Sequence, residues 1–270
     1  MRQKSLTHVG NLPLITPSWP KKENIIAATT TRLGGVSEPP FETLNLGLSS
    51  GDCRKKVEQN REILFKALNV PPLVLFLNQI HSNITVRATD KNITHLEGIG
   101  ADGTITHIPG VVPYILTADC LPILIAHKEG KEVAALHAGW KSLLTGIIED
   151  CVAQFSFPRE EYDFWLGPAS SEKAFEVGPE VIASFDYLHQ RLNYDAAAIG
   201  KWHRPSERDK HFYADIYKLA KIRLSALQIP LENIYGGDFC TLTDSDLFHS
   251  YRRDGKHSGR IASLIWIENK

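Results

Sequence analysis

The sequence predicts a layered α/β or α+β fold in one domain that spans residues 1–270. The chain has 270 residues, 43% of them hydrophobic, which is enough to bury a sizeable core. Short apolar runs typical of strands alternate irregularly with segments of helical periodicity. The sequence contains no glycine-rich strand–turn–helix fingerprint, no repeat and no long linker, which argues against a doubly wound nucleotide fold and against two independent domains.

The predicted strands are short apolar runs bounded by turn-forming residues, as buried or half-buried strands usually are. In chain order they cover residues 73–77, 114–117, 123–126, 133–136, 164–166 and 261–267. Pro71-Pro72 precedes the first run, and Gly110 and Pro113 precede the second.

Helical periodicity marks three segments clearly and a fourth more weakly. Segments 54–69 and 141–155 each carry an apolar stripe at a spacing of three to four residues. Asp215 is predicted to cap a third helix, whose apolar positions extend to Leu227. The weaker pattern covers 179–188. These helices are expected to pack on the predicted strands.

Composition excludes several classes of protein. The 30 basic and 31 acidic side chains give a net charge of −1, which excludes the global basic field of a non-specific nucleic-acid binder. The sequence has no run of the ~20 apolar residues that a membrane span needs. Segment 1–17 is too often interrupted for the apolar core of a signal peptide. We therefore expect a cytoplasmic protein with no nucleic-acid partner and no membrane partner.

Reactive side chains follow three of the apolar runs. Asp119 and Cys120 follow the run that ends at residue 117, and His137 closes the run 133–136. His81 comes shortly after the run 73–77. Because a strand fixes the backbone and the following turn exposes the side chain, the ends of strands often carry functional groups. His81, Cys120 and His137 therefore form a candidate His–Cys–His set.

Two chemistries fit this set. One thiolate and two imidazoles bind zinc well and leave a fourth position for water or substrate, as in catalytic zinc sites. Alternatively, Cys120 is a nucleophile that a histidine activates for acyl transfer. A third interpretation is that the three residues share no site, since a free cysteine is often a small buried hydrophobe. We assign Cys151, which lies within an apolar stripe, to the core.

Short characteristic blocks follow one another along nearly the whole chain: TTTRLGGVS (29–37), LNLG (44–47), GD (51–52), NR (60–61), QIH (79–81), ADG (101–103), TADCLP (117–122), HAGW (137–140), LGPA…FEVG (166–178), FCT (239–241) and SYRRDG…SGR (250–260). In these blocks and their order the sequence resembles the laccase-domain family (YfiH-like). Members of that family were once described as multicopper polyphenol oxidases and are regarded as purine nucleoside phosphorylases.

The resemblance implies a fold, a metal and an activity. The implied fold is an α/β/β/α sandwich with mixed sheets. The implied metal is a single zinc on His81, Cys120 and His137, with copper as a substitute ion. The implied reaction is phosphorolysis of adenosine, inosine and guanosine to the base and ribose 1-phosphate, with methylthioadenosine cleavage and adenosine deamination as further activities. Purine nucleosides and inorganic phosphate are then the expected partners, and a monomer or small homo-oligomer the expected assembly.

Polar residues of the same blocks are candidates for supporting roles. The residues predicted to contact substrate are Asn45, Arg61, Arg32 and Trp140. Arg61 could instead be a buried salt-bridge partner, and Arg32 could hydrogen-bond the turn at 34–35. Asp119 and Gln79 are predicted to orient the ligating histidines, with a turn cap as the alternative for Asp119. Arg252, Arg253 and Arg260 belong either to a loop beside the site or to a solvated cluster.

Three functions from different classes fit the sequence. The favoured function is a zinc-dependent purine nucleoside phosphorylase that also deaminates adenosine. The alternative is a cysteine hydrolase or amidase that uses Cys120 and a histidine, for example in the editing of cell-wall precursors. The third is a metal-binding module without catalysis.

Overall fold

Two six-stranded sheets lie face to face between two layers of helices, in a computed structural model that describes residues 6–269. The strands are β1 (Thr7–Val9), β2 (Leu12–Ile15), β3 (Ile25–Thr30), β4 (Leu73–Phe76), β5 (Thr85–Ala88), β6 (Gly103–Thr106), β7 (Val111–Thr117), β8 (Leu121–His127), β9 (Val133–Ala138), β10 (Tyr162–Leu166), β11 (Glu176–Val177), β12 (His203–Pro205), β13 (Phe212–Ala214), β14 (Ile234–Gly236) and β15 (Ile261–Ile267). The helices are α1 (Arg54–Leu68), α2 (Trp140–Thr145), α3 (Ile147–Val152), α4 (Pro179–His189), α5 (Ala196–Ile199), α6 (Ile216–Ala226) and α7 (Tyr251–Asp254).

Both large sheets are mixed. The first has the order β1-β2-β3-β15-β7-β4, and the second has the order β14-β10-β8-β9-β6-β5. The pairs β4–β7, β5–β6 and β10–β14 are parallel, while β15 pairs antiparallel with both β3 and β7. A small third sheet has the order β11-β13-β12.

Successive side chains of each central strand point to opposite faces of the sheet, and both faces are buried. In β15, Ile265 points into the layer between the sheets, while Leu264 packs on the outer side with Leu64 of α1. In β8, Leu124 faces the other sheet, and Ile123 packs with residues of the helices α2, α3, α4 and α6. Because both faces are buried, these strands are apolar at nearly every position. The layer order is therefore helix, sheet, sheet, helix, which confirms the predicted fold class.

The predicted elements are present, with one correction. Each of the six apolar runs overlaps a strand, and Asp215 caps α6 by accepting a hydrogen bond from the backbone of Lys218. The prediction of one continuous helix over 141–155 was wrong. Gly146 has a φ of 101°, a left-handed conformation that ends α2 and starts α3. Both halves keep the apolar stripe on the same buried face, and Cys151 lies in the core as predicted.

The sequence did not reveal all of the strands. The strands β1, β2, β3, β5, β6 and β14 and the small third sheet were not predicted, because most of them are only two to four residues long or carry polar side chains. The first five residues of the amino-terminal segment 1–17 lie outside the described residues. The extent of the domain over 1–270 stays a prediction.

Candidate functional site

Three side chains from separate loops and strands converge at one end of the stacked sheets. His81 follows β4, His137 lies in β9, and Cys120 lies where the chain crosses from β7 in one sheet to β8 in the other. Their ligand atoms all lie within 4.8 Å of one another. His137 is buried, Cys120 is half-buried and His81 is exposed, so this His–Cys–His cluster is open on one side.

Asp102 holds both histidines in place. One carboxylate oxygen accepts hydrogen bonds from Nδ1 of His137 at 2.8 Å and from the backbone N–H of His81 at 3.0 Å. The other accepts from the backbone N–H and the hydroxyl of Ser82 at 2.6 and 2.7 Å, and from the backbone of Ile80 at 3.2 Å. Since Asp102 occupies Nδ1 of His137, Nε2 is the ring nitrogen left for a ligand.

The predicted orienting residues, Asp119 and Gln79, have other partners. Asp119 accepts hydrogen bonds from the hydroxyl of Thr241 and the backbone N–H of Arg252, both at 2.6 Å. Gln79 bonds both its amide atoms to the backbone of Leu116, at 2.8 and 2.9 Å. The carboxylate bonded to a cluster histidine is thus Asp102. Asp119 and Gln79 instead fix the loops that carry Cys120 and His81.

Two residues of the site have left-handed backbone conformations. His81 has a φ of 56°, and Asp119, directly before Cys120, has a φ of 91°. Non-glycine residues with positive φ are uncommon and persist where surrounding contacts stabilise them. The hydrogen bonds of Asp102 and Asp119 supply such contacts. The backbone is therefore held so that both His81 and Cys120 point into the cluster.

Gly139 leaves the room that the cluster occupies. A Cβ atom at this position would lie 2.8 Å from Nδ1 of His81 and 3.1 Å from Sγ of Cys120. The first distance is shorter than normal contact, so any larger residue would displace the imidazole. A glycine is thus required at position 139, because the side chains of His81 and Cys120 both lie close to its Cα.

The cluster favours a thiolate next to an imidazolium when no metal is bound. Burial raises the pKa of Cys120, but His137 and His81 outweigh this effect and lower it to about 6. Burial lowers the pKa of His137, but the thiolate and Asp102 outweigh it and raise it to about 9. A thiolate is the form of cysteine that binds metals and attacks electrophiles. The pair is therefore competent for either of the two predicted chemistries.

The cluster lines a cavity of about 810 Å³. Trp140, Phe175 and Ile216 form an apolar part of its wall, and Gln79, Asp119, Arg252 and Arg260 contribute polar atoms. We call this space the site cavity. Trp140, predicted to contact substrate, is half-buried at the start of α2 and exposes its side chain to the site cavity.

Arg32 and Arg61, two of the predicted substrate contacts, do not line the site cavity. Arg61 donates two hydrogen bonds to the carbonyl of Leu46, at 2.9 and 3.0 Å, and lies over the ring of Phe76. Arg32 donates to the carbonyl of Glu42 at 3.0 Å rather than to the turn at 34–35. These contacts do not support a role in binding substrate, which stays a prediction for both residues.

Asn45 is fully buried and acts on the site indirectly. Its Nδ2 donates to the hydroxyl of Ser50 at 2.7 Å and to a carboxylate oxygen of Asp52 at 3.0 Å. Its Oδ1 accepts from the backbone of Gly47 at 3.0 Å and of Arg260 at 2.9 Å. Asn45 therefore positions the backbone of Arg260, and the predicted substrate contact at Asn45 itself stays a prediction.

The three carboxy-terminal arginines have different surroundings. Arg252 and Arg260 line the site cavity, whereas Arg253 pairs with Asp254 at 2.7 Å and donates to backbone carbonyls. The sequence block 250–260 drew attention to these arginines, but it did not show which of the three line the cavity. No helix within residues 6–269 is long and apolar enough to cross a membrane.

The sequence is similar to one family model and to proteins of known name. A family model described as multi-copper polyphenol oxidoreductase laccase matches residues 26–268. The purine nucleoside phosphorylase YfiH of Escherichia coli is 41% identical over 254 residues, covering 94% of this chain and 98% of that protein. A purine nucleoside phosphorylase of Haemophilus influenzae is 38% identical over 258 residues, covering 94% and 99%.

Solved structures of similar fold cover nearly the whole chain. A crystal structure of a Neisseria meningitidis protein superimposes with a TM-score of 0.83 at 36% identity, covering 95% of this chain and 99% of that one. YlmD from Geobacillus stearothermophilus superimposes with a TM-score of 0.84 at 26% identity, covering 97% and 98%. The chain therefore belongs to the multi-copper polyphenol oxidoreductase laccase family.

Proposed function

We propose that this chain is a purine nucleoside phosphorylase. The observation that carries the proposal is that the His–Cys–His cluster lies in the wall of a cavity of about 810 Å³. That cavity also presents an indole for a flat base and arginines for an oxyanion. Two relatives named purine nucleoside phosphorylase YfiH are each 41% identical to this chain over 94% of its length, which supports the same assignment.

The proposed reaction exchanges one bond at the ribose carbon C1′. The bond from C1′ to the purine nitrogen breaks, and its electron pair stays on the purine. A phosphate oxygen forms the new bond to C1′. The proton of hydrogen phosphate passes to the purine, so the products are the free base and ribose 1-phosphate. No oxidant or reductant is needed.

The donor atoms of the cluster fit a single zinc ion. Sγ of Cys120, a nitrogen of His81 and Nε2 of His137 would hold the ion, and they lie within 4.8 Å of one another. One thiolate and two imidazoles are a donor set typical of zinc sites with three protein ligands. Zinc held there would supply Lewis-acid polarisation of a bound oxygen. The same sulfur and nitrogen donors also suit copper. Within residues 6–269 this is the one converging group of three or more such side chains.

Residues of this chain supply the binding and positioning. The indole of Trp140 offers a stacking face for the purine, since aromatic rings bind flat bases with modest specificity. Asp102 holds the proton of His137 on Nδ1 and thereby fixes the direction of Nε2. Phe175 and Ile216 give the neighbouring part of the cavity an apolar wall, and polar interactions are stronger in apolar surroundings.

Finer features of this proposal come from the family resemblance. Adenosine, inosine and guanosine are the proposed substrates, with inorganic phosphate as co-substrate. Methylthioadenosine cleavage and adenosine deamination are proposed as further activities of the same cavity. The cytoplasm as location and a monomer or small homo-oligomer as assembly also stay predictions.

One observation favours the alternative of a cysteine hydrolase or amidase. The thiol of Cys120 lies beside two histidines, and its pKa is lowered to about 6 by them against the effect of burial. A nucleophilic cysteine has the same surroundings. Such an enzyme would form a covalent bond between Sγ and an acyl group, which the phosphorylase does not require.

Product analysis tests the proposal. The purified chain, with its metal content measured, is incubated with adenosine, inosine or guanosine in the presence and absence of phosphate. We expect the base and ribose 1-phosphate in equal amounts, and no base without phosphate. Cys120→Ser should lose metal and activity, while Cys53→Ser, which changes an exposed thiol at the start of α1, should keep both.

Three results would overturn the proposal. Base released at the same rate without phosphate would mean hydrolysis. Full activity in metal-free Cys120→Ser would remove the cluster from the reaction. Failure to cleave any nucleoside, together with an acyl adduct on Cys120 detected by mass spectrometry after incubation with amide or ester substrates, would favour the cysteine hydrolase instead.

A further inference from the structure

Two arginines in the wall of the site cavity have guanidinium groups that form no salt bridge with any residue from 6 to 269. Arg252 belongs to α7 and Arg260 lies directly before β15, and both line the cavity together with Cys120. Neither forms a salt bridge within residues 6–269, whereas the neighbouring Arg253 pairs with Asp254. An unpaired cation that faces a cavity is costly to desolvate, and a bound anion offsets that cost.

The side chain of Arg260 is fixed by its surroundings. Its Nη1 donates to the carbonyls of Ser258 and Gly259 at 2.7 and 2.9 Å, and its backbone N–H is held by Asn45 at 2.9 Å. Its aliphatic part packs so closely on Gly47 that a Cβ there would lie 2.5 Å from Cγ. Burial also lowers the pKa of the guanidinium, the sign of a partly desolvated cation.

This arrangement leaves donors of Arg260 for a ligand. A guanidinium has five N–H groups, and the hydrogen bonds that its side chain makes within the described part of the chain use only Nη1. The N–H groups of Nε and Nη2 have the planar geometry that binds two oxygens of a phosphate at once. The residue is therefore preorganised as an anion donor before any ligand arrives.

Arg252 provides a second positive charge at the same cavity. Its Nη1 donates to the carbonyl of Glu176, and its guanidinium lies 5.2 Å from the ring centre of Phe175. Its backbone N–H binds Asp119 at 2.6 Å. The negative charge of Asp119 acts on Arg260, but the two oxygens of Asp119 already accept hydrogen bonds from this N–H and from the hydroxyl of Thr241.

We propose that Arg260 and Arg252 form the phosphate subsite of the site cavity, with Arg260 as the fixed donor and Arg252 as the exposed second cation. The proposal rests on the proposed phosphorylase function, because it assigns a place to that reaction's co-substrate. Two guanidinium groups match the one to two negative charges of phosphate near neutral pH. They also place that anion in the same cavity as the His–Cys–His cluster and Trp140.

Binding of inorganic phosphate to the metal-loaded chain, measured by calorimetry without nucleoside, tests this subsite directly. We compare the wild type with Arg260→Gln, Arg260→Lys and Arg252→Gln. Arg208→Gln removes one positive charge from an exposed loop and serves as the matched control. Thermal melting and metal content check that each variant is folded and loaded, and Arg260→Lys keeps the aliphatic packing on Gly47.

We expect Arg260→Gln to weaken phosphate binding by about tenfold or more, since charge-assisted hydrogen bonds are among the strong ones. Arg260→Lys should fall between it and the wild type, because an ammonium lacks the planar fork. Arg252→Gln should weaken binding by about threefold to tenfold. The KM for phosphate should rise in parallel, while the KM for nucleoside stays within twofold. Sulfate should compete with phosphate, and chloride at equal ionic strength should not.

Two results would overturn the subsite. One is equal phosphate affinity in the wild type and in folded Arg260→Gln and Arg260→Lys. The other is a loss in Arg208→Gln as large as in Arg260→Gln, which would indicate general charge screening. Failure of the function looks different: phosphate would bind in an Arg260-dependent way, but no nucleoside would be cleaved. In that case the subsite stands and the phosphorylase proposal falls.

Discussion

Replacing Asp102 by asparagine tests whether this buried carboxylate organises the His–Cys–His cluster. The substitution keeps the shape of the side chain but changes one acceptor oxygen into an NH₂ donor. Asp102 is 0% exposed, and its two carboxylate oxygens accept hydrogen bonds from five donors in all. In the asparagine variant, the donors that bond to one of these two oxygens must therefore face an NH₂ group. If the NH₂ faces His137, the imidazole must accept at Nδ1 and carry its proton on Nε2, where it cannot bind a metal.

The expected effect has two parts. Loss of charge-assisted hydrogen bonds at a buried carboxylate lowers the free energy of unfolding by about 3 kcal/mol. The shift of the proton on His137 weakens metal binding by about 10- to 100-fold, the usual effect of removing the partner of a ligating histidine. Nucleoside cleavage should fall with metal occupancy and recover in part at high zinc concentration.

The assay separates stability from metal binding. Zinc affinity is measured by competition with a chromophoric chelator at a temperature where each variant is folded. Asp150→Asn is the matched control, because Asp150 also accepts a backbone hydrogen bond, from Thr85 at 2.7 Å, but belongs to α3 rather than to the cluster. The control should lose stability and keep its zinc affinity. Folded Asp102→Asn with zinc affinity within twofold of the wild type would refute the reasoning.

Three further predictions concern the cluster, the cavity wall and the core. Gly139→Ala should weaken zinc binding by about tenfold or more in the chelator assay, because the added Cβ overpacks against His81 and Cys120. Trp140→Ala should raise the KM for nucleoside about tenfold with zinc affinity unchanged, since stacking on a base contributes about 1–3 kcal/mol. Burial lowers the pKa of His189 to about 4, so the unfolded chain binds a proton below pH 6.5 that the folded chain does not. This residue therefore lowers the free energy of unfolding as pH falls from 6.5 towards 4, by up to about 1.4 kcal/mol per pH unit. In His189→Phe, the free energy of unfolding measured by urea denaturation should depend less steeply on pH.

Each of these predictions has a result that contradicts it. Wild-type zinc affinity in Gly139→Ala would show that the cluster can shift without cost. An unchanged KM in Trp140→Ala would exclude the indole as the stacking face. The same pH dependence of unfolding in His189→Phe and the wild type would mean that other groups cause the loss of stability in acid.

The central strands and long helices were predictable because their local sequence carries the signal. A strand buried on both faces, such as β8 or β15, must be apolar at successive positions, and a helix on a sheet needs a stripe. The edge strands β1 and β5 carry no such signal, since their partners cover them only in part. Gly146 shows why the apolar stripe did not reveal the break between α2 and α3. The stripe continues across this glycine, whereas the backbone takes a left-handed conformation there.

The same limit applies to the site. Strand ends and residue types indicated His81, Cys120 and His137, and the structure brings these three together. Which carboxylate orients them could not be read locally, since Asp119 is adjacent to Cys120 whereas Asp102 is 35 residues from His137. Likewise, Arg61 and Arg260 are both arginines in blocks that carry the family resemblance, but only Arg260 lines the cavity.

By itself, the sequence determined the class of fold, the identity of its central elements and the three side chains of the cluster. The tertiary structure alone decided which polar groups serve that cluster and which merely support loops. The physical reason is that burial leaves a local pattern of apolar residues, whereas a hydrogen-bond partner is chosen by how distant segments pack. Arg260 takes its place in the cavity through Asn45, which lies 215 residues earlier in the chain.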